Sequence, residues 1–211
     1  MKAFLVMGRT LKAAYEELFM VVFLSIAWWI GTVLVLPAGP VTAGIHQVAN
    51  RLANYKRADN SFFWEGSRMY IGRSWLLYLI NLLVPVIIGF AIFFYVYLNT
   101  LWWLRLLGYV CIWLLLFVLM VGQYTFPLFW QQDEPDLRLA LRNSALLTLQ
   151  RPLYTLLILI FQLVIIGISV VIALPLFLLT PGVIALSANF ALAGILQDLG
   201  LAPQPPVIPP R

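Results

Sequence analysis

The polar side chains that interrupt the long apolar stretches of this chain are His46, Gln47, Asn50, Asn81, Gln123, Gln162 and Asn189. None of them is a charged acid or base, so their chemistry is hydrogen bonding. Two uses of such groups compete. Amides and imidazoles inside a membrane tie helices together, each bond contributing about 0.6 to 2 kcal/mol. Alternatively, they line a polar pocket for an uncharged, hydroxyl-rich solute such as a sugar, and His46, Asn50, Asn81, Gln123, Gln162 and Asn189 are then the candidate pocket residues. The two uses differ in geometry. Asn81, Gln123, Gln162 and Asn189 gathered around one cavity favour a pocket, whereas dispersed residues, each paired to a neighbouring helix, favour glue.

The remaining reactive types point away from catalysis. All eight acids, Glu16, Glu17, Asp59, Glu65, Asp133, Glu134, Asp136 and Asp198, fall outside the apolar runs. Ion-coupled carriers place ionisable groups within the bilayer, where their cost marks their use, and this chain has no deep carboxylate. The single histidine, His46, has no such carboxylate to orient it for nucleophilic catalysis, and alone it cannot complete a metal site. The single cysteine, Cys111, lies in an apolar run and has no disulfide partner in the chain. No phosphate-binding Gly-x-x-x-x-Gly-Lys run is present. The expectation is a protein that is not an enzyme, with no catalytic residues, no cofactor and no metal.

The elements that must position the polar residues follow from where charge is missing. Residues are 63% hydrophobic and 10% charged, with 13 basic and 8 acidic side chains and a mean hydropathy of +0.96. A water-soluble domain is about half apolar and a quarter charged, so that class is excluded. The scattered basic residues make no nucleic-acid footprint. Residues 18–50 and 152–197 carry no formal charge and residues 74–132 only Arg105. At about 20 residues per crossing, these runs predict five long spans over 18–36, 75–98, 101–126, 153–174 and 176–197. Pro37, Gly39 and Pro40 end the first span and start a short, more polar membrane helix over 41–55, since proline starts a helix but cannot continue one unkinked. Pro175, Pro181 and Gly182 mark the last turn. Asn81, Pro85 and Gly89 make the second long span the candidate for a kinked, cavity-lining helix.

With the short helix counted as a return crossing, eleven of the thirteen basic residues share one face, Arg105 being the main exception. The positive-inside rule then places both termini in the cytoplasm, whereas the rival, one long kinked first helix with the N-terminus outside, strands three basic residues on the wrong face. Leu36 falls at the outer end of the first span and Trp75 at the cytoplasmic interface, in a belt with Trp64, Tyr78, Tyr124, Trp130 and Tyr154. Tyr95, Tyr97, Trp102 and Trp103 form the outer belt. Trp28 and Trp29 fall mid-span, where an indole N–H lacks a partner in lipid, so at least one should pack inward. Three amphipathic segments, 1–18, 60–75 and 133–150, read as cytoplasmic interfacial helices, the second capped by Asn60 and Ser61. The basic start and apolar run are read as an uncleaved span. The chain divides into a helical membrane domain, 1–200, and a proline-rich extended, mobile tail, 201–211. Two pairs of segments, led by Arg73 and Arg151 and by Pro40 and Pro181, suggest a weak internal repeat.

Trp28-Trp29, the stretch Leu36-Pro-Ala-Gly-Pro-Val-Thr-Ala-Gly44, the short helix ending at Arg51, and Phe62-Phe-Trp-Glu-Gly-Ser-Arg68 together resemble the YesL-like family of bacterial membrane proteins, the domain of unknown function 624. The later Asp136-Leu-Arg-Leu-Ala-Leu-Arg-Asn-Ser144 helix resembles those of related small families. The resemblance spans residues 15–197. It implies no catalytic or binding residue, because the family has no established activity, but its members are often encoded beside carbohydrate ABC importers. The combined expectation is an all-α polytopic protein of the bacterial inner membrane, in contact with the lipid bilayer. Its expected role is that of a non-enzymatic accessory or assembly factor, with ABC importer membrane subunits as partners. The alternative is a small permease or channel for a neutral solute, built as a homo-oligomer.

Overall fold

A computed structural model describes residues 2–99 and 101–203. The fold is 86% helix with no strand among the described residues. In chain order the helices are α1 (Lys2–Glu16), α2 (Leu18–Val33), α3 (Ala38–Ala53), α4 (Asn60–Met69), α5 (Ile71–Ile92), α6 (Trp102–Gln131), α7 (Leu137–Gln150), α8 (Pro152–Ile172), α9 (Leu174–Leu178) and α10 (Thr180–Asp198). A π-helical segment, Phe93–Leu98, extends α5. Four stretches are long and apolar enough to cross a membrane: Ile71–Leu98, Trp102–Gln131, Pro152–Ile172 and Thr180–Asp198. A fifth is made if α1 and α2, bent by 91°, count as one broken span. The expected proline-rich tail lies outside the described residues beyond Pro203.

The helix ends follow local chemistry. Asp59, one residue before the expected cap, accepts the Ser61 amide at 2.8 Å and starts α4. Asp136 likewise accepts the Arg138 amide at 3.0 Å and starts α7, so that helix begins after the first residues of the expected segment 133–150. The expected third span ends at 126, but α6 runs through Pro127 to Gln131, because a membrane helix absorbs a proline where neighbouring side chains satisfy the freed backbone. The last turn opens at Ala173, held at φ 62°, ahead of the expected Pro175. Pro181 then occupies the first turn of α10, where its missing N–H costs nothing.

The core is built on α3 and α10, the two proline-led helices, which are rich in small buried residues and pack on each other. Glycines permit this closeness. A Cβ at Gly44 would lie 2.6 Å from the Phe63 carbonyl, and one at Gly182 would lie 3.0 Å from the Val21 carbonyl. Around that pair, α4 folds back along α3, with Phe63 and Ser67 against Gly44 and Gly66 against Gln47. The consequence is a correction. The indole of Trp75, at the start of α5, donates to the Leu36 carbonyl at 2.8 Å, and the Trp75 backbone packs on Gly39. Leu36 and Trp75 are neighbours and not residues of opposite membrane faces, because α3 and α4 form a hairpin that returns the chain to the turn from which α3 began.

Other expectations also change. Tyr124 belongs to no belt: it is fully buried, its hydroxyl 3.2 Å from Thr155 Oγ1. The amphipathic α1 does not stand apart from the bundle. It packs on α10, with Val6 against Gly194, and buries Ala3, Val6, Thr10 and Ala14, while Val21 of α2, beyond the 91° bend, meets Gly182. Both mid-span indoles are partnered, Trp28 to Thr42 Oγ1 at 3.0 Å and Trp29 to the Leu176 carbonyl at 3.1 Å. The distal parts of α5 and α6 leave the bundle as an arm whose side chains are mostly exposed, closed on itself where Gly108 meets Val96.

Candidate functional site: an uncharged cavity among six helices

The sequence of α5 and α6 builds two walls by one device. Asn81 stands four residues before Pro85, and Gln123 four residues before Pro127. A helix carbonyl accepts from the amide four residues on, and proline has none, so the backbone carbonyls of Asn81 and Gln123 both lose that donor. Gly122 lets the two helices close at this height: a Cβ there would lie 2.9 Å from Asn81 Oδ1. The Asn81 amide crosses to Thr125 Oγ1 at 2.9 Å and also donates to its own helix at the Leu77 carbonyl.

A cavity of about 330 Å³ opens beside these residues. Trp28 of α2, Thr42 and His46 of α3, Tyr78 and Asn81 of α5, Gln123 and Phe126 of α6, Gln162 of α8, and Ile184 and Ala188 of α10 line it. Six helices thus contribute, and no Lys, Arg, Asp or Glu is among the lining residues. Gln123 donates to the Met120 and Thr155 carbonyls, each at 3.2 Å, while its Oε1 finds no donor in the protein. Gln162 donates to Ser187 Oγ at 2.7 Å.

His46 is fixed from two sides. Its ring stacks on Phe126 with centroids 5.1 Å apart, and Nδ1 lies 3.0 Å from Asn189 Nδ2. The same Asn189 nitrogen donates to the Ala185 carbonyl at 2.8 Å, which assigns it as the amide NH₂. His46 Nδ1 must therefore accept, and the neutral ring carries its proton on Nε2, a donor on a residue that lines the cavity.

Four of the six candidate pocket residues, His46, Asn81, Gln123 and Gln162, line this one cavity. Asn189 stands behind His46 and orients it. Asn50 lies apart, bonded to Gln131 at 3.0 Å, with Asn54 completing a small amide cluster. Pro37 caps α3, Gly39 and Pro40 lie in its first turn, and Pro181 and Gly182 open α10, so these turn residues set the helices and none of them lines this cavity. Gly89 meets nothing within 4 Å, so no close packing explains it. Sequence reasoning overlooked Thr42, Tyr78 and the Gln123–Pro127 pair; the repeated spacing of amide and proline was the available signal for the last.

Among the described residues no group of three or more His, Cys, Asp or Glu side chains is placed to hold a metal ion. A second cavity, of about 380 Å³, shares Trp28, Thr42, His46 and Ile184 with the first and is otherwise walled mainly by apolar residues, including Trp29, Ile45 and Ile166. No protein-family model, curated protein or solved structure matches the chain, so the chemistry of the site rests on its own geometry.

Proposed function

We propose that the protein is a non-enzymatic membrane protein that holds an uncharged, hydrogen-bonding ligand between its helices, acting as a small permease for neutral solutes. The observation that carries this reading is the meeting of His46, Asn81, Gln123 and Gln162, from four different helices, around one cavity without a charged lining residue. Donors and acceptors are both present. A hydroxyl group can give and take a hydrogen bond there, whereas an ion would be buried without a counter-charge. A volume of about 330 Å³ is within the range of small-molecule sites.

The experiment is solute-driven swelling of proteoliposomes with glycerol and sorbitol, set against sodium chloride. Polyol entry above protein-free vesicles, reduced by Gln123→Leu and by Asn81→Leu in folded protein, is the expected result. Entry unchanged by both substitutions overturns the reading.

The proposed setting is the bacterial cytoplasmic membrane, with both termini in the cytoplasm and an even number of crossings. The support is the basic residues of the segments around α1, α4 and α7 against the single Arg105 beyond them. A second reading, an accessory subunit of a carbohydrate importer, is favoured by one observation: the exposed arm of α5 and α6 packs chiefly on itself and offers Phe90, Trp102, Tyr109 and Trp113 outward. Stoichiometric recovery of importer subunits from mild-detergent purification supports that reading, and recovery of the protein alone removes it.

A further inference from the structure

The hydrogen bonds already made around the cavity of Asn81 and Gln162 determine which of its polar atoms are left for a ligand. Asn81 Nδ2 donates to the Leu77 carbonyl, which assigns it as the amide nitrogen, so Oδ1 is the acceptor, and that oxygen accepts nothing within the protein. Gln162 is assigned in the same way. Ser187 Oγ gives its proton to the Ile184 carbonyl, which leaves it to accept from Gln162 Nε2, and Gln162 Oε1 is the free acceptor. Neither oxygen is sealed off, in contrast to Gln123 Oε1, which is enclosed. His46 has the opposite polarity: with Nδ1 accepting from Asn189, its Nε2–H is a donor without a partner in the protein. Thr42 accepts from Trp28 and gives its own proton to the Ala38 carbonyl, so both side chains are spent. The fixed groups left over are two acceptors and one donor, on α5, α8 and α3, and the Tyr78 hydroxyl can act either way. The wall between them, from Leu82, Phe126, Ile184 and Ala188, is apolar.

We propose that the ligand of this cavity is a small primary carboxamide with an apolar body. This rests on the reading of the cavity as a site for a neutral ligand and names the class of that ligand. One carboxamide carries a carbonyl acceptor for His46 Nε2–H and two N–H donors for Asn81 Oδ1 and Gln162 Oε1, all in a single plane. Its remaining atoms then meet apolar wall only. A polyol that fills the same space brings a hydroxyl on every carbon, more than the free groups can partner, and each unpaired hydroxyl buried against that wall is a cost. A carboxylic acid of the same shape lacks the two donors and brings a charge for which the lining holds no counter-charge.

The test exploits the single histidine of the chain, whose imidazole signal is unambiguous. Full-length protein with isotopically labelled histidine, in nanodiscs, is titrated with nicotinamide and followed by nitrogen NMR. Saturable movement of the Nε2 resonance, with Nδ1 remaining unprotonated, is the expected result. Methyl nicotinate, which keeps the ring and the carbonyl but has no N–H, should bind about tenfold more weakly, and nicotinate should bind no better. This comparison uses the unaltered protein, so no folding defect can intervene. In folded Gln162→Leu, nicotinamide should weaken by about tenfold while methyl nicotinate stays unchanged, a split that a merely structural loss would not produce. Equal binding of nicotinamide and methyl nicotinate, a stronger response to glycerol than to nicotinamide, or a histidine signal that responds to no amide overturns the proposal. Any of these beside Gln123-dependent polyol entry into proteoliposomes leaves the neutral-solute reading standing. Any of these beside entry unchanged by Gln123→Leu and Asn81→Leu removes both.

Discussion

His46 and Asn189, separated by 143 positions in the chain, meet through a 3.0 Å contact that joins the two most buried helices of the fold and fixes which histidine nitrogen carries the proton. The contact serves structure and site together. On one side Asn189 locks into its own helix at Ala185, and on the other the imidazole stacks on Phe126 and lines the cavity. Replacing either partner leaves a buried polar atom unpaired, at a cost of about 1 to 3 kcal/mol.

A double-mutant cycle is the direct measure of that pair. Asn189→Leu and His46→Leu should each lower the thermal unfolding midpoint in detergent, and the double variant should lose less than the sum. A coupling of about 0.6 to 1.7 kcal/mol is expected for a hydrogen bond in a membrane protein. Strict additivity would mean that the two residues do not depend on each other.

Glycines divide into two groups by what surrounds them. Gly39→Ala brings a Cβ to 2.8 Å from the Trp75 Cα, and Gly44→Ala brings one to 2.6 Å from the Phe63 carbonyl, backbone atoms that cannot rotate away. Each should destabilise the protein by about 1 to 3 kcal/mol. Gly72→Ala and Gly89→Ala meet nothing within 4 Å and lie in helix. These should be neutral, or stabilising by up to about 1 kcal/mol. Equal losses at Gly39 and Gly89 would contradict the packing of α3 on α5.

Acid should weaken the α4 cap. Hydrogen bonds from the Ser61 side chain, then from its amide, hold the Asp59 carboxyl below its usual value of 3.8, aided by the nearby Arg57 charge. Because the folded value lies below the unfolded one, the contribution of the cap is full above pH 3.8 and is lost as pH falls through the folded value. Asp59→Ala should therefore lower the unfolding midpoint at neutral pH, and its difference from the parent should shrink on acidification. A difference that is constant into strong acid would show that the carboxylate does not act as the cap.

Orientation is read by thiol labelling of whole cells. In a Cys111→Ser background, Asn60→Cys and Gln132→Cys should be protected from an impermeant reagent applied outside, while Asn99→Cys, at the far end of the arm, should react. Rapid labelling at Asn60 or Gln132 would reverse the proposed sidedness.

The charge map and the hydrophobic runs carried much of the helical architecture, because each long helix coincides with a mainly apolar run. Helix α8 starts at Pro152 and α10 carries Pro181 in its first turn and ends at Asp198, whereas the extension of α5 ends next to the neutral Asn99 and α6 next to the neutral Gln132. The N-cap of α4 was legible to within a residue, because capping is a local bond, here Asp59 to Ser61, whereas the expected segment 133–150 begins several residues ahead of α7, whose cap is Asp136. The position of Tyr124 was not. A tyrosine near the end of an apolar run resembles an interfacial anchor whether it faces lipid or, as here, the Thr155 hydroxyl in the core.

Composition by itself decided that the long helices are apolar enough to cross a membrane and that the side chains interrupting them are neutral hydrogen-bonding groups, since both depend only on which residues are present and which are missing. Only the tertiary structure decided that α4 folds back along α3, bringing Leu36 to Trp75, and that His46, Asn81, Gln123 and Gln162 face one cavity. The reason is physical. A helix fixes the spacing of side chains along its own axis, but the rotation and crossing of one helix against another are set by small residues such as Gly39, Gly44 and Gly182 meeting particular partners. Those meetings link positions that are distant in the chain, and local propensity holds no record of them.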